Sequence, residues 1–409
     1  MEYNEANRLT QNKAGVIRVS FSGLAYLVLC AYMALLFLNY ISWIPTSLVS
    51  LTLYGFIFLG FLTVTVNGRL LLGVHTVWYS VFLGLCCLSC VYSLQMMVSI
   101  TMVIEMIKLL LFSVMFVNLI NTRKRIQTVM LVASLAGVGL VLYLNATDQL
   151  DIEERLGESL TGNANSFVIL FMVAAFCSIY FIYFSEKKST RIISLVAFII
   201  QMYALALSGS RKNFLLPLLM VGGLKMFCSE RKDRKIVAKN LLIAIVLLIG
   251  ALWAVYNVDF LYDAIGYRME GLFNSFTGKG EVDASTIIRQ DMIDTGLKLW
   301  KSSPFTGYGI DIYKLISGFG CYSHNNYIEL LVSLGILGPI VYYWIEVYLL
   351  KKLSKANELG NKKWYWLLTI VCLLIFDYGA VTYNIYPTHM MLLLANSVLR
   401  IDGKTWQPT

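Results

Sequence analysis

Of the three histidines in the 409-residue chain, His324 has the most telling surroundings. It lies in "CYSHNNYIELLVSLGILG" (321–338), followed at once by two asparagines and an apolar run. An imidazole there could take a proton near neutral pH. Ser323 reads as an N-cap and His324 as the first residue of a helix. Steps of four and three then put His324, Ile328, Leu331, Gly335 and Gly338 on one stripe, whose glycines would let a neighbouring helix come close. Asn325 and Glu329 fall one turn apart on the adjacent stripe, beside Asn326. Glu329 lies at membrane depth, where a carboxylate is costly and usually partnered or functional.

Two other helix starts suit an anion. "LSGSRKNFL" (207–215) places Arg211 and Lys212 just after Ser210, a plausible N-cap. Free backbone N–H groups, the positive dipole end and a guanidinium together favour phosphate. "TGNANSF" (161–167) opens another apolar run with Asn163 and Asn165. Spacing alone leaves His324 open between an interfacial cap and a reacting group. It likewise leaves Arg211 and Lys212 open between lipid-headgroup contacts and an anion site.

The elements that must hold these residues are membrane helices. The chain is 58% hydrophobic and 14% charged, against about 25% charged for soluble proteins. Repeated apolar runs of about 20 residues predict an all-α polytopic protein, one integral membrane domain over 1–409. Twelve spans are expected near 22–39, 46–65, 73–92, 98–120, 126–144, 166–184, 192–208, 213–228, 237–256, 325–350, 364–381 and 385–399. Most of the 33 basic residues fall in the N-terminal tail and in alternate connections, which predicts cytoplasmic termini. The net charge of +9 is therefore a topology signal and implies no nucleic-acid partner.

Most connections on the other side are short, such as 380–384. The acidic one over 145–165 and the large one over 257–323 are not, and long loops usually have work to do. The large loop, between spans nine and ten, contains a helical stripe near 284–301 that ends at "SSPFTGYG" (302–309). Spans six, eight and ten would point their positive ends at the same outer surface. Glu105 and Lys108, three apart, are expected to pair, and Asp377 to play a similar structural part. His75 and His389 read as isolated packed or hydrogen-bonded residues. Scattered histidines and no Asp-x-Asp pair predict no metal site, and no cofactor is expected. Cys321 alone lies outside the spans, so no external disulfide can close within the chain.

In order, "GNANSF", "SGSRKNFL", "IIRQDMIDTGLKLWKSSPFTGYG" and "SHNNYIELLVSLGILG" resemble the O-antigen ligase and polymerase superfamily of bacterial envelope polysaccharide synthesis. The resemblance covers about 160–340. It departs at Ala164, where relatives often carry proline. It implies a glycosyltransferase on the outer face of the bacterial cytoplasmic membrane. The donor would be an undecaprenyl-pyrophosphate-linked oligosaccharide, the acceptor a sugar hydroxyl, and transfer would be inverting and metal-independent. By the motif match, Arg211, Arg289 and His324 take the family's functional positions. Asn163, Asn165, Ser210, Lys212, Asn325, Asn326 and Glu329 are expected to line the substrate, and a chain-length regulator is a further expected partner. Polymerase is preferred to ligase because no docking element for a lipid A core is evident. A lipid-linked oligosaccharide flippase is the rival of another class, but its polar residues would gather at the midplane between repeated halves.

Overall fold

The computed structural model describes residues 20–41, 44–147, 164–228 and 284–402, with isolated positions between them. Asn163, most of the 145–163 connection, the expected ninth span and most of 257–283 lie outside the described residues.

Among the described residues all regular structure is helical. Seven helices are long and apolar enough to cross a membrane, and they follow the first seven expected spans: α1 (Phe21–Leu38), α2 (Thr46–Asn67), α3 (Val74–Tyr92), α4 (Met96–Leu119), α5 (Arg123–Ala146), α6 (Ala164–Phe184) and α7 (Lys188–Leu207). Their outer faces show large apolar side chains, Leu51, Phe58 and Val91 among them, which suits lipid as the solvent. Glu105 and Lys108 form the expected ion pair within α4.

The remaining helices do not confirm the count of twelve. α8 (Arg211–Phe227), α14 (Lys362–Asp377) and α15 (Tyr386–Asp402) have 17, 16 and 17 residues, short of the roughly 20 that a straight crossing needs. The loop helix appears as α9 (Ala284–Ser302), as expected, followed by the single turn α10 (Tyr313–Ile316). The tenth span is broken. α11 (Asn326–Leu334) meets α12 (Leu337–Tyr342) and α13 (Trp344–Lys355) at a bend of 120°.

The break occurs where two backbones touch. The segment 304–310 crosses the end of α11 and satisfies its last carbonyls: Tyr308 N donates to Val332 O and Gly309 N to Ser333 O, both at 2.9 Å, while Ile336 N returns a bond to Pro304 O at 2.9 Å. A helix ending inside protein needs such partners. Gly335 sits at φ +63°, and a Cβ there would lie 2.3 Å from the Phe305 carbonyl carbon. A Cβ on Gly307 would meet the Val332 carbonyl oxygen at 2.5 Å. The His324–Ile328–Leu331–Gly335–Gly338 stripe is therefore not continuous. Gly335 admits a crossing strand of backbone, and the close helix approach is made instead by Gly296 of α9 against Ile328.

α3 gives a measure of depth. Near its end, Ser89 Oγ accepts from Ile310 N at 3.1 Å. Ten residues earlier, about 15 Å along the axis, Tyr79 donates to Tyr383 O at 3.0 Å. The 378–385 turn between α14 and α15, expected as a short surface connection, is thus sunk well below the level of the 304–310 strap. Because the start of α11 touches that turn, the positive end of α11 points into the bundle.

Gly335→Ala is expected to lower thermal stability in detergent by more than the roughly 1–3 kcal/mol of backbone strain alone, measured by heated size-exclusion chromatography. Gly360→Ala, at φ +54° with nothing within 4 Å of a new Cβ, supplies the strain-only reference. Equal losses for the two variants would contradict the backbone crossing.

Candidate functional site

His324 does not begin a helix. It holds φ +53° in the turn before α11, one of two non-glycine residues with positive φ among those described. Such backbone strain persists only where its surroundings enforce it, and it concentrates at functional sites. The N-cap is Asn325, not Ser323: the Asn325 Oδ1 accepts from Tyr327 N at 3.0 Å and Ile328 N at 3.2 Å. Ser323 closes the turn by donating its hydroxyl to Asn325 O at 2.8 Å.

Three residues expected at the substrate instead build this turn. Glu329, fully buried, accepts from Ser323 N at 2.8 Å. Asn326 has both ends of its amide occupied. Its Nδ2 donates to Tyr343 Oη at 2.9 Å and Asp377 Oδ2 at 3.2 Å, and its Oδ1 accepts from Thr382 N at 3.1 Å. Asn325 is committed as the cap. Asp377 is the larger surprise. It also accepts from Tyr343 at 2.9 Å and Thr382 Oγ1 at 2.8 Å, so it ties α11, α13's neighbour Tyr343 and the sunken turn together. The sequence signal was there, an aspartate within an apolar span, but nothing in it named the partners.

The basic residues come together. Ser210 does occupy the N-cap position of α8, yet its hydroxyl oxygen accepts from the Asn213 side chain at 2.9 Å and makes no bond to the helix backbone. Arg211 Nη2 donates to Thr286 Oγ1 at 2.9 Å, which brings the first turn of α9, and with it Arg289, beside the start of α8. Lys212 turns inward. Its ammonium donates to Phe376 O at 3.0 Å and lies 4.1 Å from the centre of the Phe376 ring, at the negative end of α14. Lys212 is thus held by α14, and its charge is among those that act on His324. Asn165 lies in the first turn of α6; its side chain is outside the described residues.

His324 is half-buried, and its ring packs 4.5 Å from that of Tyr322. Among the described residues its Nδ1 has no hydrogen-bond partner. Burial first, then the charges of Arg289 and Lys212, push its pKa down to about 4. Both causes favour the neutral imidazole. Nearby, burial pushes the Cys321 thiol up, which makes it a poor nucleophile. The arrangement offers a neutral ring nitrogen able to accept a proton, with the Arg289 guanidinium within its field.

Residues 195–343 match the O-antigen ligase family. The similarity supports the O-antigen ligase and polymerase superfamily over that segment. That segment contains Arg211, Arg289, the strap and the whole His324 turn. No curated protein matches the chain.

Because the folded pKa lies below the usual 6.5, His324 should stay neutral, and open to acylation by diethyl pyrocarbonate, down to about pH 5. The reaction rate at pH 5.5 should equal that at pH 7.5, whereas an unshifted imidazole would be about nine-tenths protonated and slow at pH 5.5. A tenfold fall between the two values would contradict the depressed pKa. In the same sense, this group's contribution to folding stability declines as pH falls from about 6.5 towards 4, since the unfolded chain binds the proton first.

Proposed function

We propose that the protein is a membrane glycosyltransferase that extends polysaccharide from an undecaprenyl-pyrophosphate-linked donor at the outer face of the bacterial cytoplasmic membrane. What carries this reading is a neutral, strained His324 with an unpaired nitrogen, set beside Arg211 and Arg289 within the O-antigen ligase match. In this scheme His324 takes the proton of the acceptor hydroxyl as its oxygen attacks the anomeric carbon. The bond from that carbon to the pyrophosphate breaks on the opposite face, and the electron pair leaves with the pyrophosphate. One displacement of this kind inverts the anomeric centre. Arg211 and Arg289 stabilise the charge that develops on the leaving group, the task a divalent metal performs in many other transferases. The topology proposed with it has cytoplasmic termini, up to twelve crossings and the 257–323 segment outside.

A ligase, which passes the glycan to a different acceptor, is the second reading, favoured by the family description itself. Purified protein in vesicles, given only a lipid-pyrophosphate repeat unit, distinguishes them: a polymerase makes a ladder from donor alone, a ligase needs the second acceptor. In either assay His324→Ala should lower turnover by about 10²–10⁴. Arg211→Lys and Arg289→Lys keep the charge but lose the planar fork, and should weaken transfer strongly at normal protein level. Wild-type turnover in His324→Ala would remove the base from the scheme. Abolition of wild-type transfer by EDTA would remove the arginine-for-metal reading.

A further inference from the structure

His75 and His389 are not isolated residues. Both are wholly buried and lie 314 positions apart in the chain, yet His75 Nε2 stands 3.2 Å from His389 Nδ1. The contact continues both ways. His75 Nδ1 is 3.0 Å from Ser113 Oγ, itself 3.0 Å from Thr76 Oγ1, and His389 Nε2 is 3.1 Å from Tyr383 O. A carbonyl can only accept, which fixes the direction of every proton. His389 must donate from Nε2, so its Nδ1 accepts from His75 Nε2. His75 Nδ1 then accepts from Ser113, whose oxygen accepts from Thr76. This is the one arrangement with two neutral rings, and a buried, unpaired imidazolium would be costly.

The chain ends on the sunken turn. Tyr383 O, gripped by His389 and Tyr79, is adjacent to Thr382, whose N–H and hydroxyl hold Asn326 and Asp377. Asn326 follows the His324 turn directly. We propose that His389, itself oriented by His75, is a positioning residue that fixes the 378–385 turn from beneath and thereby the His324 turn. Between Gly379 and Tyr386 the turn has a single main-chain bond of its own, Ile385 N to Thr382 O at 3.0 Å, so its position depends on these side chains, and small displacements of reacting groups cost rate steeply.

This inference rests on the transfer reading for its kinetic arm only. The protein has three histidines, so ¹⁵N-histidine NMR of the full chain in detergent, with His324→Gln to assign the third ring, reads the proton positions directly. Both His75 and His389 should be neutral at pH 7 and protonated on Nε2; a proton on Nδ1 of either ring would overturn the chain. In the transfer assay, His389→Leu should lower turnover by about tenfold or more with the donor KM unchanged. His389→Gln, which can both accept and donate at similar reach, should recover most of it. Gln201→Leu removes a comparable buried amide that bonds Ser178 and Ser134, away from the turn, and should leave turnover unchanged. Wild-type turnover in His389→Leu, or no recovery in His389→Gln, would overturn the positioning role. If the wild-type protein fails to transfer, the transfer reading falls, and the NMR result alone decides the hydrogen-bond chain.

Discussion

The crossing of the 304–310 strap over the end of α11 is the contact on which the rest of the site depends. A helix of nine residues has little stability of its own. α11 keeps its form because its last carbonyls find N–H groups on the strap and its first N–H groups find the Asn325 side chain, while Asn326 Oδ1 accepts from Thr382 N of the sunken turn. The strap is anchored in turn: Leu94 N donates to Tyr308 O and Ser99 Oγ to Ile310 O. Irregular backbone at membrane depth is tolerable only when protein surrounds it in this way. Removing either set of partners would leave polar main chain unsatisfied in an apolar surrounding.

Seen from the site, this architecture separates charge from contact. The carboxylates of Glu329 and Asp377 and the amide of Asn326 face inward and are used up by protein donors. Lys212 is spent on the Phe376 carbonyl. Burial first, and then the cations Arg289 and Lys212, hold the His324 pKa down. In the proposed transfer scheme, a bound pyrophosphate would offset the cationic part of that shift and make the imidazole more basic when the acceptor hydroxyl needs a base.

The sequence disclosed the long helices well, because a run of 20 apolar residues has few alternatives once membrane is the solvent. The helix at 284–302 was also legible, from its apolar stripe and the Pro304 stop. The break at Gly335 was not. A Gly-x-x-Gly at helical spacing reads the same whether the glycines admit another helix or a crossing backbone, and only the partner's position separates the two cases. Pro304, Gly307 and Gly309 likewise looked like punctuation, though they form the crossing strap. The candidate base was legible as a residue type, but its φ of +53° and its partners were not. Glu329, Asn325 and Asn326 were read as ligand contacts because a polar residue near an active-looking histidine has no other visible purpose in one dimension. His75 and His389 looked solitary for the same reason: the bond between them joins positions 314 residues apart.

These misreadings share a physical source. Within a bilayer, a polar side chain or a glycine is first required to satisfy main chain that has left the helix, and only then is it free for a ligand. In this protein α11 is detached at both ends from regular structure, so it demands an unusual number of such partners. The residues around His324 meet that demand, which is why most of them are occupied. The group left over, His324 Nδ1, is then the more informative one: its neighbours were all placed by folding, and it alone in that turn was not given a partner.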